Sequence, residues 1–188
     1  MEPARKKKYT YADYLTWDDD KRCELIDGEV YMLAAPSSTH QEIFGNLFLE
    51  LGNYLKGKNC KVYPAPYDVR LNAEAEDDTV VQPDISVICD PSKIEERGCK
   101  GAPDMVIEIL SPSTTRHDQV VKLNQYCKAG VREYWLVDPE RRQVQINLLK
   151  DGMYINRGYY GDTDTVSVNI LDDCQINLAD IFPALPED

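Results

Sequence analysis

The pattern of apolar and polar residues predicts a short helix followed by a β-hairpin near the start of the chain. Thr10 is a typical N-cap residue, Asp13 follows three positions later, and the aromatic residues around Asp13 have helical spacing. The segment CELIDGEVYML contains two β-prone runs on either side of Asp27 and Gly28, a dipeptide that fits a type I′ turn. We therefore expect a helix that ends near the acidic DDD run and then a hairpin.

The next segments predict a longer helix and then several strands. Ser38 and Gln41 form the pattern of a capping box, and apolar residues recur at helical spacing as far as Gly57. From Cys60 onward, three β-prone runs are separated by polar loops, a pattern that favours an antiparallel meander. The three runs are CKVYPAPYDVRLN, VVQPDISVIC and DMVIEILS.

A third helix and a buried strand follow, and their order predicts a crossover connection. Thr114 or Thr115 precedes RHDQVVKLNQYCKAG, in which Gly130 marks the end of the helix. The segment EYWLVDP is nearly continuously apolar, as in a strand that is buried on both faces, so helix and strand together predict a crossover onto the same sheet. The apolar face of this helix is expected to consist of Val120, Leu123, Tyr126 and Cys127.

The remaining sequence completes the predicted fold. Two β-prone runs around Asp151 and Gly152 predict another hairpin, and the acidic remainder is expected to cover an edge of the fold. The fold class is therefore α/β, of the α+β kind, with a central mixed β-sheet flanked by helices. The length suits one domain over residues 1–188, with residues 1–8 as a flexible basic tail.

Cysteine usage and hydropathy give further expectations. The six cysteines are scattered without a CxxC pair, so we expect reduced core thiols rather than a zinc site. Cys23, Cys89 and Cys127 lie among apolar residues, where a free cysteine behaves as a small hydrophobe. No apolar run approaches the roughly 20 residues that span a bilayer, and no signal-peptide pattern is present. The expected location is the cytoplasm, without a membrane partner.

The charge distribution limits how this chain could bind nucleic acid. A net charge of -12 excludes binding through bulk electrostatic attraction, because phosphate contacts need local Lys or Arg. The middle of the chain is locally basic, however, whereas its end is acidic. Binding would require a local basic groove. The predicted groove consists of Arg116, Lys122, Lys128 and Arg132 with the RKKK tail.

Two carboxylates on neighbouring predicted strands are the main candidates for chemistry. In DMVIEILS alternate side chains face opposite ways, which places Glu108 among the apolar residues of one face. An ionised carboxylate there is costly unless it is paired or bound to a cation. Asp84 follows Pro83 at the start of the adjacent strand, and antiparallel pairing could bring the two acids together. Such a pair repels unless a cation lies between them, and oxygen ligands suit Mg²⁺ or Mn²⁺.

The segments PDISVI, MVIEILSPST and HDQVVKLNQYCKAGVREYWLVDP resemble the PD-(D/E)XK nuclease superfamily, and in particular its Uma-two branch of bacterial proteins related to restriction endonucleases. The resemblance extends from TYADYL to LADIF. It makes Asp84 the first acid and Glu108 the second, with the Ile109 backbone carbonyl as a further metal ligand. The usual lysine position holds Leu110. In this branch the lysine is relocated to the following helix, where Lys122 stands.

The resemblance implies a divalent-metal-dependent endonuclease that hydrolyses phosphodiester bonds in nucleic acid, with DNA as the expected substrate. The acids would hold Mg²⁺ or Mn²⁺, the metal would stabilise charge on the phosphoryl oxygens, and Lys122 would orient or activate the attacking water. A homodimer is expected, because a DNA duplex has two strands and a two-fold protein offers two sites.

Four further residues are expected to have accessory roles. Glu24 and His40 resemble accessory polar positions of the same branch, and Arg70 could contact a phosphate. Asp118 lies four residues before Lys122 and can pair with it on one helix face. Simpler interpretations stay open: Glu24 as a cross-strand ion pair, His40 as a surface or capping residue, and Arg70 as a solvated strand residue.

Purely structural roles for the three main residues stay open, as do two different functions. Asp84 could simply begin a strand, Glu108 could form a buried ion pair, and Lys122 could be an exposed helical residue. One alternative function is a catalytically silent protein of the same fold that binds a partner through its acidic surface. The second is a phosphodiesterase that acts on RNA or small nucleotides. Ser111 lacks the surroundings of a nucleophilic serine and is interpreted as a strand end.

Overall fold

The structure is a computed structural model and describes residues 7–17, 22–112 and 117–184. Three α-helices are present in these ranges: α1 (Tyr11–Tyr14), α2 (Ser38–Leu55) and α3 (Leu123–Ala129), the last continuing a π-helical segment, His117–Lys122. The strands are β1 (Cys23–Ile26), β2 (Glu29–Met32), β3 (Lys61–Pro64), β4 (Asp68–Arg70), β5 (Val80–Val81), β6 (Ile85–Ile88), β7 (Ile94–Glu95), β8 (Gly98–Lys100), β9 (Met105–Ile109), β10 (Glu133–Asp138), β11 (Gln143–Lys150), β12 (Met153–Gly161), β13 (Thr165–Ser167) and β14 (Gln175–Asn177).

The N-terminal helix and hairpin are confirmed. Thr10 caps α1, and its side chain and backbone form the capping box with Asp13. Strands β1 and β2 pair antiparallel. Asp27 and Gly28 join them with positive φ angles of 49° and 77°, as a type I′ turn requires.

The central sheet has the strand order β12-β11-β10-β9-β6-β3. Strands β3, β6 and β9 form the predicted antiparallel meander. The helix after β9 returns the chain so that β10 lies parallel to β9, which confirms the crossover. Strands β10, β11 and β12 then run antiparallel, as the second predicted hairpin requires. The sheet is therefore mixed, and the predicted α+β class is confirmed.

Both faces of the central sheet are covered. Apolar residues of α2 and of the acidic C-terminal segment pack on one face, around Met105, Ile107 and Ile109. Residues of α3 and of a second sheet, with the order β2-β1-β5-β4-β8-β7, pack on the other face, which carries Val106 and Leu110. The expectation that the C-terminal segment covers an edge is wrong, because its buried side chains, Phe182 among them, join the core on the α2 face.

Two strand predictions need correction. The run CKVYPAPYDVRLN is divided between the two sheets as β3 and β4, because Pro64 and Pro66 supply no N–H donors for a continuous strand. Likewise, β5 and β6 separate at Pro83. Strands β7 and β8 were not predicted, since their few residues carry no alternating pattern.

The helices differ from expectation at their termini and in one face. Ser37, not Ser38, caps α2, and its hydroxyl accepts from the His40 N–H at 3.2 Å. Val120 is 51% exposed rather than part of a buried face, because the π-helical segment turns Lys122 inward instead. Gly130 ends α3 with a φ of 93°, as predicted. Thr114 and Thr115 lie outside the described residues, as does most of the basic tail, residues 1–6.

The cysteine expectation is wrong for one pair. Cys60 and Cys89 form a disulfide. They lie one position beyond the last paired residues of β3 and β6, Lys61 and Ile88, so the register places them opposite each other. Sequence spacing carried no signal of this contact. The other four, including Cys23 and Cys127, are free thiols, as expected.

Hydropathy gives no sign of a membrane-spanning helix. Within the described ranges, no helix has both the length and the apolar character that crossing a bilayer demands.

Candidate active site

A cavity of about 870 Å³ opens where the two sheets meet the first turn of α2 and the π-helical segment. Its wall includes the end of β9 and the residues just before β6. The structure therefore brings together most of the residues that the sequence singled out. Those that line this cavity are Glu24, His40, Asp84, Glu108, Ile109, Asp118 and Lys122.

Asp84 is fixed by the pairing of β6 with β9. The antiparallel register pairs Ile85 with Ile107, so Asp84 lies across from Glu108, one position further along. Asp84 Oδ2 accepts a hydrogen bond of 2.7 Å from the Ile109 N–H and lies 3.2 Å from His40 Nε2. The carboxylate that was predicted to meet Glu108 is thus held at the same edge of the sheet.

Glu108 and Lys122 form a buried ion pair. Lys122 Nζ donates to Glu108 Oε1 at 2.9 Å, and the Tyr126 hydroxyl donates to the same oxygen at 2.6 Å. Glu108 is only 4% exposed and Lys122 only 3%. The interpretation of Lys122 as an exposed helical residue is therefore wrong.

Glu24 is the second anion bound to Lys122. Its Oε1 lies 2.7 Å from Lys122 Nζ and also accepts from the Gln82 N–H at 2.8 Å. Its Oε2 lies 3.7 Å from His117 Nε2, and neither of these buried atoms has a hydrogen-bond partner among the residues that the structure describes. The His117 ring packs against Tyr31, with ring centroids 4.6 Å apart. Glu24 thus joins β1 to the helix that carries the lysine.

The π-helical segment explains why polar side chains face inward at this point. Asp118, Lys122 and Tyr126 recur every four residues, and all three are buried. Lys122 Nζ lies 3.6 Å from Asp118 Oδ1, and the Tyr134 hydroxyl donates to the Asp118 backbone carbonyl at 3.1 Å. A wider helical turn of this kind is frequent at functional sites. Here it places an acidic side chain, Asp118, and a basic side chain, Lys122, together in the wall of the cavity.

The electrostatics of the cluster are unbalanced. Burial raises the pKa of Glu108 well above its usual value, and the charges of Asp118, Asp84 and Glu24 add to that effect against the opposing Lys122. Burial alone would raise the pKa of Glu24 as well, but the ammonium of Lys122 and several hydrogen bonds hold it at about 2. Glu24, Asp84, Glu108 and Asp118 share this part of the cavity with a single ammonium, which favours binding of a further cation.

Lys122 and His40 are the basic groups in direct contact with these acids. Burial would lower the pKa of Lys122, but Glu108, Glu24 and Asp118 together raise it well above its usual value. Burial would likewise lower the pKa of His40, but the hydrogen bond to Asp84, the charge of Asp84, the Ile109 backbone and the charge of Asp118 together raise it. Both side chains therefore favour their protonated forms beside the acids.

The groups around Asp84 are those that could supply oxygen ligands to a small divalent cation. The His40 imidazole interacts with both the Asp84 carboxylate and the Ile109 backbone, so these two groups converge on one point, across from Glu108. Among the described residues, no three side chains of His, Cys, Asp or Glu could hold a metal ion by themselves. The set implied here has two carboxylates and a backbone carbonyl, and Mg²⁺ normally completes such a set with water and substrate oxygens.

Two predicted features do not reach the cavity. Arg70 is bound to Asp77 by two hydrogen bonds and to Glu95 at 3.1 Å, and it does not line the cavity. Of the residues predicted to form the basic groove, two that the structure describes are not available as free surface charges, because Lys122 is buried and Arg132 is paired with Asp104. Arg116 lies outside the described residues.

Sequence reasoning missed four residues of this site. Arg22 and His117 line the cavity, Gln82 holds Glu24, and Tyr126 binds Glu108. Only Tyr126 had a usable signal, the four-residue spacing from Lys122. The other three depend on which strands become neighbours, which local sequence does not encode.

Comparisons with known proteins agree with this geometry. In structure, the chain is similar to a protein from Anabaena variabilis described as "a putative nuclease belonging to DUF820", with a TM-score of 0.75 and 22% sequence identity over 93% of this chain and 97% of that chain. At this identity the likeness shows the fold.

In sequence, the chain is similar to two proteins of Synechocystis sp., the uncharacterized proteins slr1290 and sll1609. Each is 27% identical to this chain. The matched regions cover 74% and 73% of this chain and 73% and 79% of the respective relatives. Residues 11–179 match the sequence profile of the family Uma2, which carries the description "Putative restriction endonuclease". Since this match spans most of the chain, from α1 to the last 3₁₀ turn, the protein belongs to the Uma2 family.

Proposed function

We propose that this protein is a divalent-metal-dependent endonuclease that hydrolyses phosphodiester bonds and that its substrate is DNA. One observation carries the proposal: Asp84 and Glu108 lie across from each other on adjacent strands and open into the same cavity as a buried lysine. Membership in a family named for restriction endonucleases supports the same activity.

Each proposed role follows from the position of its residue. Asp84, Glu108 and the Ile109 carbonyl would hold Mg²⁺ or Mn²⁺, and the bound ion would supply stabilisation of negative charge on the phosphoryl oxygens. Asp84 is oriented for this by the Ile109 N–H. Glu108 is oriented by Lys122 and Tyr126, which donate to one of its oxygens.

Lys122 has a narrower role than water activation by proton removal. Its ammonium is within 3 Å of both Glu24 and Glu108, and its pKa is raised, so it stays protonated. A protonated lysine cannot accept a proton from water. We assign it to orienting Glu108 and to stabilising negative charge near the scissile phosphate. Glu24 and Asp118 in turn position the lysine.

A substrate panel tests this function. Purified protein is incubated with supercoiled plasmid, linear duplex, single-stranded DNA, RNA and cyclic nucleotides, in Mg²⁺, in Mn²⁺ and in EDTA. We expect cleavage of DNA that requires the metal and is lost in Asp84→Asn. The matched control, Asp77→Asn, neutralises an acid that binds Arg70 outside the cavity and should cleave normally.

Different results would change the assignment. Cleavage of RNA or cyclic nucleotides alone would replace the DNA substrate but keep the chemistry. No cleavage of any substrate, with Mn²⁺ calorimetry also showing no binding that depends on Asp84, would favour a silent member of the family that binds a partner. A homodimer would present one site to each strand of a duplex, so light scattering of the active protein should report a dimer.

A further inference from the structure

The cavity that holds the acids poses a problem for a polyanionic substrate. Its lining contains five acids but only two Lys or Arg residues among the described residues, Arg22 and Lys122. An approaching phosphate backbone would meet a negative potential at the cavity mouth. Binding therefore needs a positive group that the acids have not already neutralised.

Most of the basic groups in the lining are engaged by acids. Lys122 contacts Glu24 and Glu108, and His40 lies 3.2 Å from Asp84. A third basic group of the lining, His117, has its Nε2 atom 3.7 Å from Glu24 Oε2. Each of these side chains lies beside a carboxylate, so none of them offers a free positive charge to a substrate outside the cavity.

Arg22 differs from them in partner and in exposure. Its side chain is exposed, and its Nε donates to the side-chain oxygen of Gln82 at 3.2 Å. Gln82 is neutral, so the guanidinium keeps its full charge. Within the part of the chain that the structure describes, Arg22 has no carboxylate partner, in contrast to Arg70 and Arg132.

Gln82 also fixes where that charge lies. Its Nε2 donates to Asp68 Oδ1 at 2.9 Å and its backbone N–H donates to Glu24 Oε1. The Arg22 backbone carbonyl accepts from the Leu33 N–H at 3.0 Å. An arginine held at Nε still presents its two terminal nitrogens, the geometry that suits a phosphate. Less side-chain entropy is then lost on binding.

We propose that Arg22 binds a backbone phosphate next to the scissile one and thereby anchors a polynucleotide strand at the cavity mouth. This inference rests on the proposed nuclease function. Arg22 and Glu24 are alternate residues, so both face the cavity, about 7 Å apart along the chain. Because Glu24 is fully buried whereas Arg22 is exposed, the guanidinium lies nearer to solvent than the Glu24 carboxylate does.

An anchor at Arg22 also selects a substrate class. A ligand must carry at least two phosphates to engage Arg22 and the acid cluster together. Oligonucleotides and longer strands meet this requirement, whereas a cyclic mononucleotide does not. We therefore expect the loss of Arg22 to weaken binding of strands and to leave any hydrolysis of mononucleotide esters unchanged.

The test measures DNA binding separately from cleavage. Fluorescence anisotropy with a labelled duplex of about 20 base pairs and the matching single strand is recorded in Ca²⁺ and again in EDTA, from low to moderate salt, for wild type, Arg22→Met and Arg22→Lys. The control is Arg132→Met, which removes an exposed arginine that binds Asp104 outside the cavity. All these positions are exposed, so folding should be preserved.

For Arg22→Met we expect Kd to rise about fivefold to tenfold. The slope of log Kd against log salt should fall by about 0.9 for the duplex and about 0.7 for the single strand. Arg22→Lys should recover part of the affinity, and Arg132→Met should stay within about twofold of wild type.

The outcomes separate this inference from the nuclease function. If wild type binds DNA and Arg22→Met binds equally well, the anchor is refuted while the nuclease function is untouched. If wild type binds through Arg22 but cleaves nothing, the anchor stands and the nuclease function fails. If wild type binds neither the duplex nor the single strand, the anchor is refuted by that result alone.

Discussion

Two clusters of the protein each place one cation among carboxylates, but they differ in burial and in the balance of charge. In the Lys122 cluster, Lys122 meets Glu24, Glu108 and Asp118, all of them at most 4% exposed. In the Arg70 cluster, Arg70 meets Asp77 and Glu95, whose side chains are 27% and 46% exposed.

The Arg70 cluster is satisfied by its own members. The guanidinium binds both oxygens of Asp77, and it stacks over Tyr11 at 4.2 Å from the ring centroid. Water screens the remaining charge of Glu95. The Lys122 cluster has excess negative charge and is too deeply buried for water to screen it. An ion cluster that is unbalanced and buried beside a cavity indicates function, whereas a balanced, half-exposed one indicates structure.

Replacing the central cation of each cluster should change the free energy of unfolding most, and the loss should differ between the two clusters. Lys122→Met leaves three buried carboxylates without an ammonium, so the free energy of unfolding should fall by about 3–5 kcal/mol. Arg70→Met should cost about 1 kcal/mol, because its acids can turn to solvent. Urea denaturation followed by circular dichroism measures both. Equal losses would mean that burial does not distinguish the clusters.

Neutralising one acid should have opposite signs in the two clusters. Glu108→Gln keeps an oxygen for Lys122 and Tyr126 but removes excess charge, so stability should rise by about 1 kcal/mol. DNA cleavage should still fall by at least about 100-fold. Asp77→Asn breaks a bidentate pair and should lose about 1 kcal/mol. Asparagine tolerates the positive φ of 50° at this position, so backbone strain does not confuse the comparison.

The stability difference between Glu108→Gln and wild type should depend on pH, because the pKa of Glu108 differs between the folded and unfolded states. The folded state raises the pKa of Glu108 above the unfolded value, so the protonated acid stabilises the fold at low pH and this contribution is lost as pH rises. The advantage of Glu108→Gln should therefore be small below the unfolded pKa and grow as the pH rises toward the folded pKa. An advantage that grows toward acid pH would contradict the unbalanced cluster.

The sequence predicted the acids better than it predicted their surroundings. Alternation along β9 was enough to show that Glu108 faces an otherwise apolar side, and Pro83 marked the start of the strand after Asp84. Lys122 came from the family resemblance, since an isolated lysine on a helix is usually exposed. The inward turn of this lysine depends on a π-helical segment that the pattern did not reveal.

Long-range pairing accounts for what the sequence did not predict. Arg22 and Arg70 both lie in or beside β-prone runs and are indistinguishable locally. Their different roles follow from the side chains that contact them in the folded protein, Gln82 for Arg22 and Asp77 with Glu95 for Arg70. The Cys60–Cys89 disulfide follows from strand register in the same way.

A smaller effect is expected from the hydroxyl that supports Glu108. Tyr126→Phe removes a buried donor from an anion and should cost about 1 kcal/mol. Cleavage should fall about tenfold, as is typical when a supporting partner of a metal ligand is lost. Tyr11→Phe keeps the ring beneath Arg70 and should stay within about 0.5 kcal/mol of wild type. Thermal denaturation and initial cleavage rates measure these effects, and matching losses in both variants would count against the assigned role of Tyr126.

Salt should produce the smallest effect. Raising ionic strength from about 0.1 to about 1 M shortens the screening length from about 10 to about 3 Å. The stability cost of Arg70→Met should therefore decline by a few tenths of a kcal/mol, whereas the cost of Lys122→Met should not change. Urea titrations at both salt concentrations measure the shift. A similar decline for Lys122→Met would indicate that water reaches its cluster.

The position of a bound Mn²⁺ ion tests the central claim most directly. Crystals of the wild-type protein soaked in Mn²⁺ are measured at the manganese absorption edge, with Asp84→Asn crystals as the control. We predict one strong anomalous peak between Asp84 and Glu108, in contact with the Ile109 carbonyl and absent from the control. If the soaked crystals show no manganese at this position and manganese bound at Asp77 or Glu95 instead, that result would contradict the account.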